Sequence, residues 1–183
     1  MKNRTFSALT VAAFLAASAA LVGCSKQAPE QGEQKTSAPA SDVIKIGVFQ
    51  PLTGANSAGG ADELEGIKLA NKLYPTALGK KVELVIVDNK SDKVEAANAA
   101  TVLTQKEKVN AVLGSWGSSL SMSGGPIFAE AKIPAVALSA TNPNVTKGNE
   151  YYFRGCFLDP FQGTVGAAYA YNNLKATKVA IIR

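Results

Sequence analysis

From residue 43 to residue 182 the chain alternates strictly between short β-branched apolar runs and segments whose apolar residues recur at helical spacing. The strand-like runs are residues 43–49 (VIKIGVF), 81–88 (KVELVIVD), 109–114 (VNAVLG), 133–138 (IPAVAL) and 178–182 (KVAII). Unbroken apolar runs of this length read as strands buried on both faces, as in parallel sheets. Between them, residues 62–74 place Leu64, Ile67, Ala70 and Leu73 or Tyr74 on one helical stripe. Asp92 followed by Glu95 has the spacing of a capping box opening a second helix, with Val94, Ala97, Ala100 and Leu103 as its apolar face. Residues 118–132 and 159–174 read as two further helices. Gly124-Gly125-Pro126 kinks or restarts the first of these, and residues 151–153 form a short extended segment. Strict alternation predicts an α/β fold, a doubly wound parallel sheet with right-handed crossovers. In such sheets ligands sit beyond the carboxyl ends of the strands, at the switch point. That places the loops 50–60, 115–119 and 139–141 at the candidate site.

Composition narrows the chemistry. The chain has no histidine, which excludes a Ser-His-Asp triad, His-ligated zinc and any imidazole base. Its two cysteines, Cys24 and Cys156, supply neither a disulfide framework nor a cysteine-rich metal site. The glycine-bearing loop 54–60 lacks the Lys and Ser/Thr of a phosphate-binding loop, and no dinucleotide fingerprint follows the first strand. Residues 114–119 (GSWGSS) lack the spacing of a nucleophile elbow. Asp88 and Asp92 could suggest a metal but fit a strand end and a helix start equally well, and a hard-cation site needs many more convergent oxygens. The net charge of +5 carries no basic stripe interleaved with aromatics, so nucleic acid binding is not expected. No catalytic residue, metal or cofactor is indicated.

The N-terminus carries a separate message. Lys2 and Arg4 precede an alanine-rich apolar run over residues 6–22, closed by Leu21-Val22-Gly23-Cys24. A basic start and a short apolar stretch read as a secretory signal. The run is weaker than the roughly 20 strongly apolar residues that span a bilayer comfortably. The closing tetrad resembles the lipobox of bacterial lipoproteins, which implies cleavage before Cys24 and lipidation of its thiol. Several acyl chains hold firmly where one holds marginally. Residues 25–42 contain no large apolar residue and read as a flexible leash, spanning on the order of 25 Å. The expected location is the outer face of a cell membrane, lipid-anchored.

Beyond the third and fourth strands the sequence gathers hydroxyls and backbone donors: Trp116, Ser118 and Ser119, then Ser139, Ala140 and Thr141. A helix start offers unpaired N–H groups that suit a carboxylate, and free carbonyls suit an ammonium. Residue types alone favour helix caps and turns over a ligand site.

A family resemblance favours the binding reading. IKIGVFQPLTG at 44–54, Glu65-Gly66, KKVELVIVDNKSD at 80–92, VNAVLGSWGSS at 109–119, IPAVALSATNP at 133–143, YYFR at 151–154 and DPFQG before KVAIIR appear in order. Together they resemble the periplasmic type I solute-binding proteins, specifically the branched-chain amino acid (Leu/Ile/Val) class. The resemblance implies two α/β lobes closing on a ligand, with residues 1–23 a lipoprotein signal and 24–42 the lipidated Cys and linker. It implies that 43–152 form lobe one, and that 153–183 form the crossover and the truncated start of lobe two. By its implication Ser118 donates to a ligand carboxylate, Thr141 donates from N–H and hydroxyl, and Ser139 offers its carbonyl to an ammonium. The implied function is the substrate-binding component of an ABC importer that delivers a neutral or branched-chain amino acid to a permease and its ATPase. A ligand-sensing module for a receptor, or a binder of an amide or aromatic acid, are the alternatives. The small, polar loop after Gly54 (Asn56, Ser57, Gly59, Gly60) and the bulky Trp116 depart from the class and bear on side-chain preference.

Overall fold

In the computed structural model, residues 42–181 are described. The signal, Cys24 and the leash up to residue 41 lie outside them, as does Ile182. Strand β1 (Val43–Gln50) leads into α1 (Ser57–Leu73), the short β2 (Thr76–Ala77) and β3 (Lys80–Asp88). Next come α2 (Lys93–Thr101), extended by a π-helical turn (Val102–Lys106), then β4 (Ala111–Gly114) and α3 (Ser118–Glu130). β5 (Ala135–Ala137), a 3-10 turn (Pro143–Val145), β6 (Tyr152–Arg154) and α4 (Asp159–Asn172) follow. The sheet order is β2-β3-β1-β4-β5-β6, parallel except for the β2–β3 hairpin.

The order of the five parallel strands reverses at β1. The chain first steps from β1 outward to β3, then returns past β1 to β4. Right-handed crossovers in opposite directions must lie on opposite faces. Accordingly α1 packs with Val48 on one face, where Leu64 and Ile67 are buried, and α2 and α3 enclose the other. Neighbouring residues of β1 point to opposite faces, so Phe49 joins the second core with Leu103, Val112, Leu120, Phe128 and Tyr152. There Phe128 meets Phe49 edge to face, with ring centroids 5.4 Å apart.

Several elements depart from the sequence expectation. Helix α1 begins at Ser57, five residues before the predicted start, so part of the expected loop is helical. Gly60 makes this possible, since a Cβ there would overlap the Pro51 carbonyl. Of its expected stripe, Leu64 and Ile67 are buried, whereas Leu73 and Tyr74 are exposed. The hairpin strand β2 was not anticipated. Its turn places Leu78 and Gly79 at φ 52° and 75°, the left-handed pair that suits tight hairpins. In α2 the Asp92 side chain accepts from the N–H groups of Val94 and Glu95 (2.8 and 3.0 Å). Glu95 does not reach back to close the box; it pairs with Lys90 instead. Of the expected α2 stripe, Ala100 and Leu103 are buried but Val94 is exposed; Ala96 and Ala99 complete the buried face. Leu103, as expected, reaches the core, from the π-helical turn. Helix α3 runs unbroken through Pro126, with Gly124 seated against Phe49 and Phe128. The strand expected at 178–182 is absent over 178–181, where the chain is exposed and unladdered. Its apolar composition suits a strand, but no strand pairs with it among the described residues.

Candidate functional site

The carboxyl ends of β1 and β4 meet at the switch point, and the loops 51–56, 115–117 and 138–142 gather there. The first loop is pinned by Asp88 at the end of β3. Its carboxylate accepts from the N–H groups of Leu52, Thr53 and Lys90 (2.8, 3.3 and 2.8 Å) and from the Thr53 hydroxyl (2.7 Å). Partial burial works against ionisation, but these hydrogen bonds outweigh it and hold Asp88 below its ordinary 3.8. A depressed carboxyl contributes stability that is present above its unfolded value and lost as pH falls through the folded one. The expected result is acid destabilisation beginning below about pH 4 that weakens in Asp88→Asn, read from unfolding midpoints across that range. An unchanged acid profile would remove Asp88 from this role.

Beneath the second loop lies a buried polar network. Gln50, Asn89, Ser115 and Ser121 are fully buried, and such groups are costly unless hydrogen-bonded. Asn89 Nδ2 donates to Ser115 Oγ (2.8 Å), Ser115 Oγ donates to the Trp116 carbonyl (2.9 Å), and the Ser115 N–H donates to Ser121 Oγ (3.2 Å). The Tyr152 hydroxyl donates to the Gly114 carbonyl (2.6 Å), and burial pushes its phenol up to about 12. These bonds fix the backbone that carries Trp116 and opens α3.

The third loop is held by Arg154. Its guanidinium donates to the Ala140 carbonyl and to the Asn142 carbonyl (2.6 Å). Ser118 Oγ accepts from the Asn142 N–H (3.2 Å), joining the start of α3 to this loop. A hydroxyl that accepts still has its own proton to give. Among the described residues, no hydrogen bond uses the N–H groups of Ser118, Ser119 or Thr141, nor the Thr141 hydroxyl. The two loops therefore present unspent donors side by side, at a helix start that favours negative charge.

Of the expected site residues, Ser118 and the 139–142 loop are joined directly. Ser119 lies exposed beside Ser118, Ala140 is buried with its carbonyl taken by Arg154, and Ser139 Oγ donates to Glu63. Trp116 is 37% exposed and lies on the first turn of α1, where a Cβ at Gly59 would overlap its indole. The small loop and the bulky indole, two separate departures in the sequence, are thus one complementary pair. Sequence reasoning missed Gln50, Glu63, Asn89 and Arg154. A glutamine closing an apolar strand was the available signal for the first, and Glu63 had none. A cavity of about 350 Å³ beside α3, lined by Met122, Pro126, Asn144 and Asn149 among others, contains none of the loop residues. Among the described residues no cluster of acids and cysteine could hold a metal.

A family model described as periplasmic binding protein matches residues 43–183. A protein of Pseudomonas aeruginosa called amino acid binding protein is 37% identical over 146 residues, covering 78% of this chain and 39% of that protein. A leucine binding protein from Thermotoga maritima, solved by crystallography, is 48% identical with a TM-score of 0.70, covering 73% of this chain and 38% of that one. A solute binding protein from R. palustris, solved in complex with 4-hydroxybenzoate, is 32% identical with a TM-score of 0.68, covering 76% and 38%. The chain thus spans about two fifths of the length of the proteins it matches.

Proposed function

This chain belongs to the periplasmic binding protein family, and from that premise we propose that the complete protein captures a neutral or branched-chain amino acid outside the cytoplasm and hands it to an ABC permease and its ATPase. The observation that carries the reading is the set of unspent donors on two neighbouring loops at the switch point, Ser118 and Ser119 on one and Thr141 on the other. A carboxylate there would meet the start of α3 and the Thr141 donors. The Ser139 carbonyl would take the ammonium, and Trp116 would face the side chain. Residues 43–152 would form one lobe and 153–183 the crossover into the second, which would close the cleft. Ligand contact with both lobes favours the closed state by the difference in affinity it has for the two. The binding step calls for no bond making, which agrees with relatives named for binding.

Titration calorimetry of the complete protein with leucine, isoleucine and valine tests this, with 4-hydroxybenzoate as competitor class. Heat with one of the three amino acids is expected. Heat with 4-hydroxybenzoate alone would turn the reading to an aromatic acid, which the exposed Trp116 and the R. palustris neighbour support.

The same reading has the protein tethered through a lipid on Cys24, after removal of residues 1–23. Cys24→Ser is expected to move it from the membrane fraction to the soluble one. Full retention at the membrane would contradict lipid anchoring.

A further inference from the structure

We propose that Glu63 is a positioning residue, which with Gln50 ties the Trp116 loop to the Ser139 loop and sets the spacing of the ligand-binding wall; this rests on the binding reading above.

Gln50 is the last residue of β1 and fully buried. Its Oε1 accepts from the Trp116 N–H (2.8 Å), and its Nε2 donates to Glu63 Oε2 (2.6 Å). The other carboxylate oxygen of Glu63 accepts from Ser139 Oγ. The amide can be placed only one way, because an N–H only donates and a carboxylate only accepts. A chain of side chains therefore runs from the loop after β4, through β1 and α1, to the loop after β5. Hydrogen bonds to a charged acceptor are shorter and about twice as strong as neutral ones.

Two glycines show that the backbone is shaped around this chain. At Gly114 a Cβ would lie 2.7 Å from Gln50 Nε2, so the strand must be bare where the amide crosses it. At Gly60 a Cβ would overlap the Pro51 carbonyl, so the close approach of α1 to the end of β1 depends on that position, one turn before Glu63. The charge of Glu63 is also felt by the Tyr152 phenol, which it helps to raise. Ser139 thereby spends its hydroxyl on Glu63 and is not free to donate to a ligand. What remains at that residue for a ligand is its carbonyl.

The test uses the complete protein labelled with 5-fluorotryptophan, the Trp116 fluorine resonance being the one lost in Trp116→Phe. Without any ligand, Glu63→Ala is expected to shift that resonance, and Ser139→Ala to shift it in the same direction by less. Glu63→Gln, whose amide can still bridge Gln50 and Ser139, is expected to restore the wild-type position. Leucine affinity should fall about tenfold in Glu63→Ala and recover in Glu63→Gln. A resonance unmoved by both Glu63→Ala and Ser139→Ala would overturn the proposal. If Glu63→Ala does not fold, Ser139→Ala decides alone, because it leaves α1 untouched. A wild type that ignores leucine while its resonance moves in the variants would overturn the amino-acid reading and uphold the positioning role.

Discussion

Gly114→Ala is expected to destabilise the protein by about 2–6 kcal/mol. Two costs add, each about 1–3 kcal/mol: a side chain forced into a backbone region it rarely adopts, and overpacking of a filled site. Gly114 has φ +111°, and a Cβ there would overlap the Phe49 carbonyl and press on the Gln50 amide. Neither neighbour can give way cheaply. The carbonyl belongs to the central strand, and the amide is buried and bonded at both ends. Against a typical total of about 5–15 kcal/mol, the loss brings the domain near the edge of folding. Two other glycines separate the terms. Gly79→Ala meets nothing within 4 Å at φ +75°, so only the backbone cost remains. Gly66→Ala, exposed in α1 with nothing near it, should stabilise by about 0.4–1 kcal/mol. Thermal midpoints in the order Gly66→Ala, wild type, Gly79→Ala, Gly114→Ala are the expected result. A Gly114→Ala midpoint equal to wild type would mean the strand ends are not packed as described.

Ser118→Ala and Thr141→Ala are each expected to weaken ligand binding by roughly tenfold to a hundredfold, because losing a hydrogen bond to a charged group costs about 1.5–3 kcal/mol. The two differ in what else they disturb. Ser118 also accepts from the Asn142 N–H, so its removal unties the two loops and should speed ligand release as well. The Thr141 hydroxyl has no partner among the described residues, so Thr141→Ala should leave the melting temperature of the ligand-free protein near wild type. Equal affinity in both variants and wild type, measured by calorimetry, would displace the site from these loops.

The alternation of strand and helix was legible because parallel strands buried on both faces must be apolar throughout, and runs such as VIKIGVF say so directly. The switch point followed, because strand order and crossover hand leave few places for the reversal. What stayed hidden depended on contacts far apart in sequence. Nothing local in residues 57–61 announces a helix, since Gly59 and Gly60 lower helix propensity. Their value lies in the Trp116 indole and the Pro51 carbonyl that they admit. Residues 93–106 gave the right helix and half of its buried face: Ala100 and Leu103 are in the core, but Val94 is exposed and Ala96 and Ala99 are buried in its place, small residues that mark a face weakly in sequence. In the loops, Ser118 and Thr141 were visible as residue types at strand ends. Glu63 was one acid among several on an amphipathic helix, and only the fold brings it to Gln50 and Ser139.

The central claim is that these loops recognise both ends of an amino-acid head group, and dissecting leucine tests it most directly. The complete protein, starting after the proposed lipid site, would be titrated with leucine, with 4-methylpentanoate, which lacks the ammonium, and with 3-methylbutylamine, which lacks the carboxylate. The account predicts that leucine binds and that each truncated analogue binds at least tenfold more weakly, by the loss of hydrogen bonds to a charged group. A 4-methylpentanoate affinity equal to that of leucine, or no leucine binding by a folded protein, would contradict it.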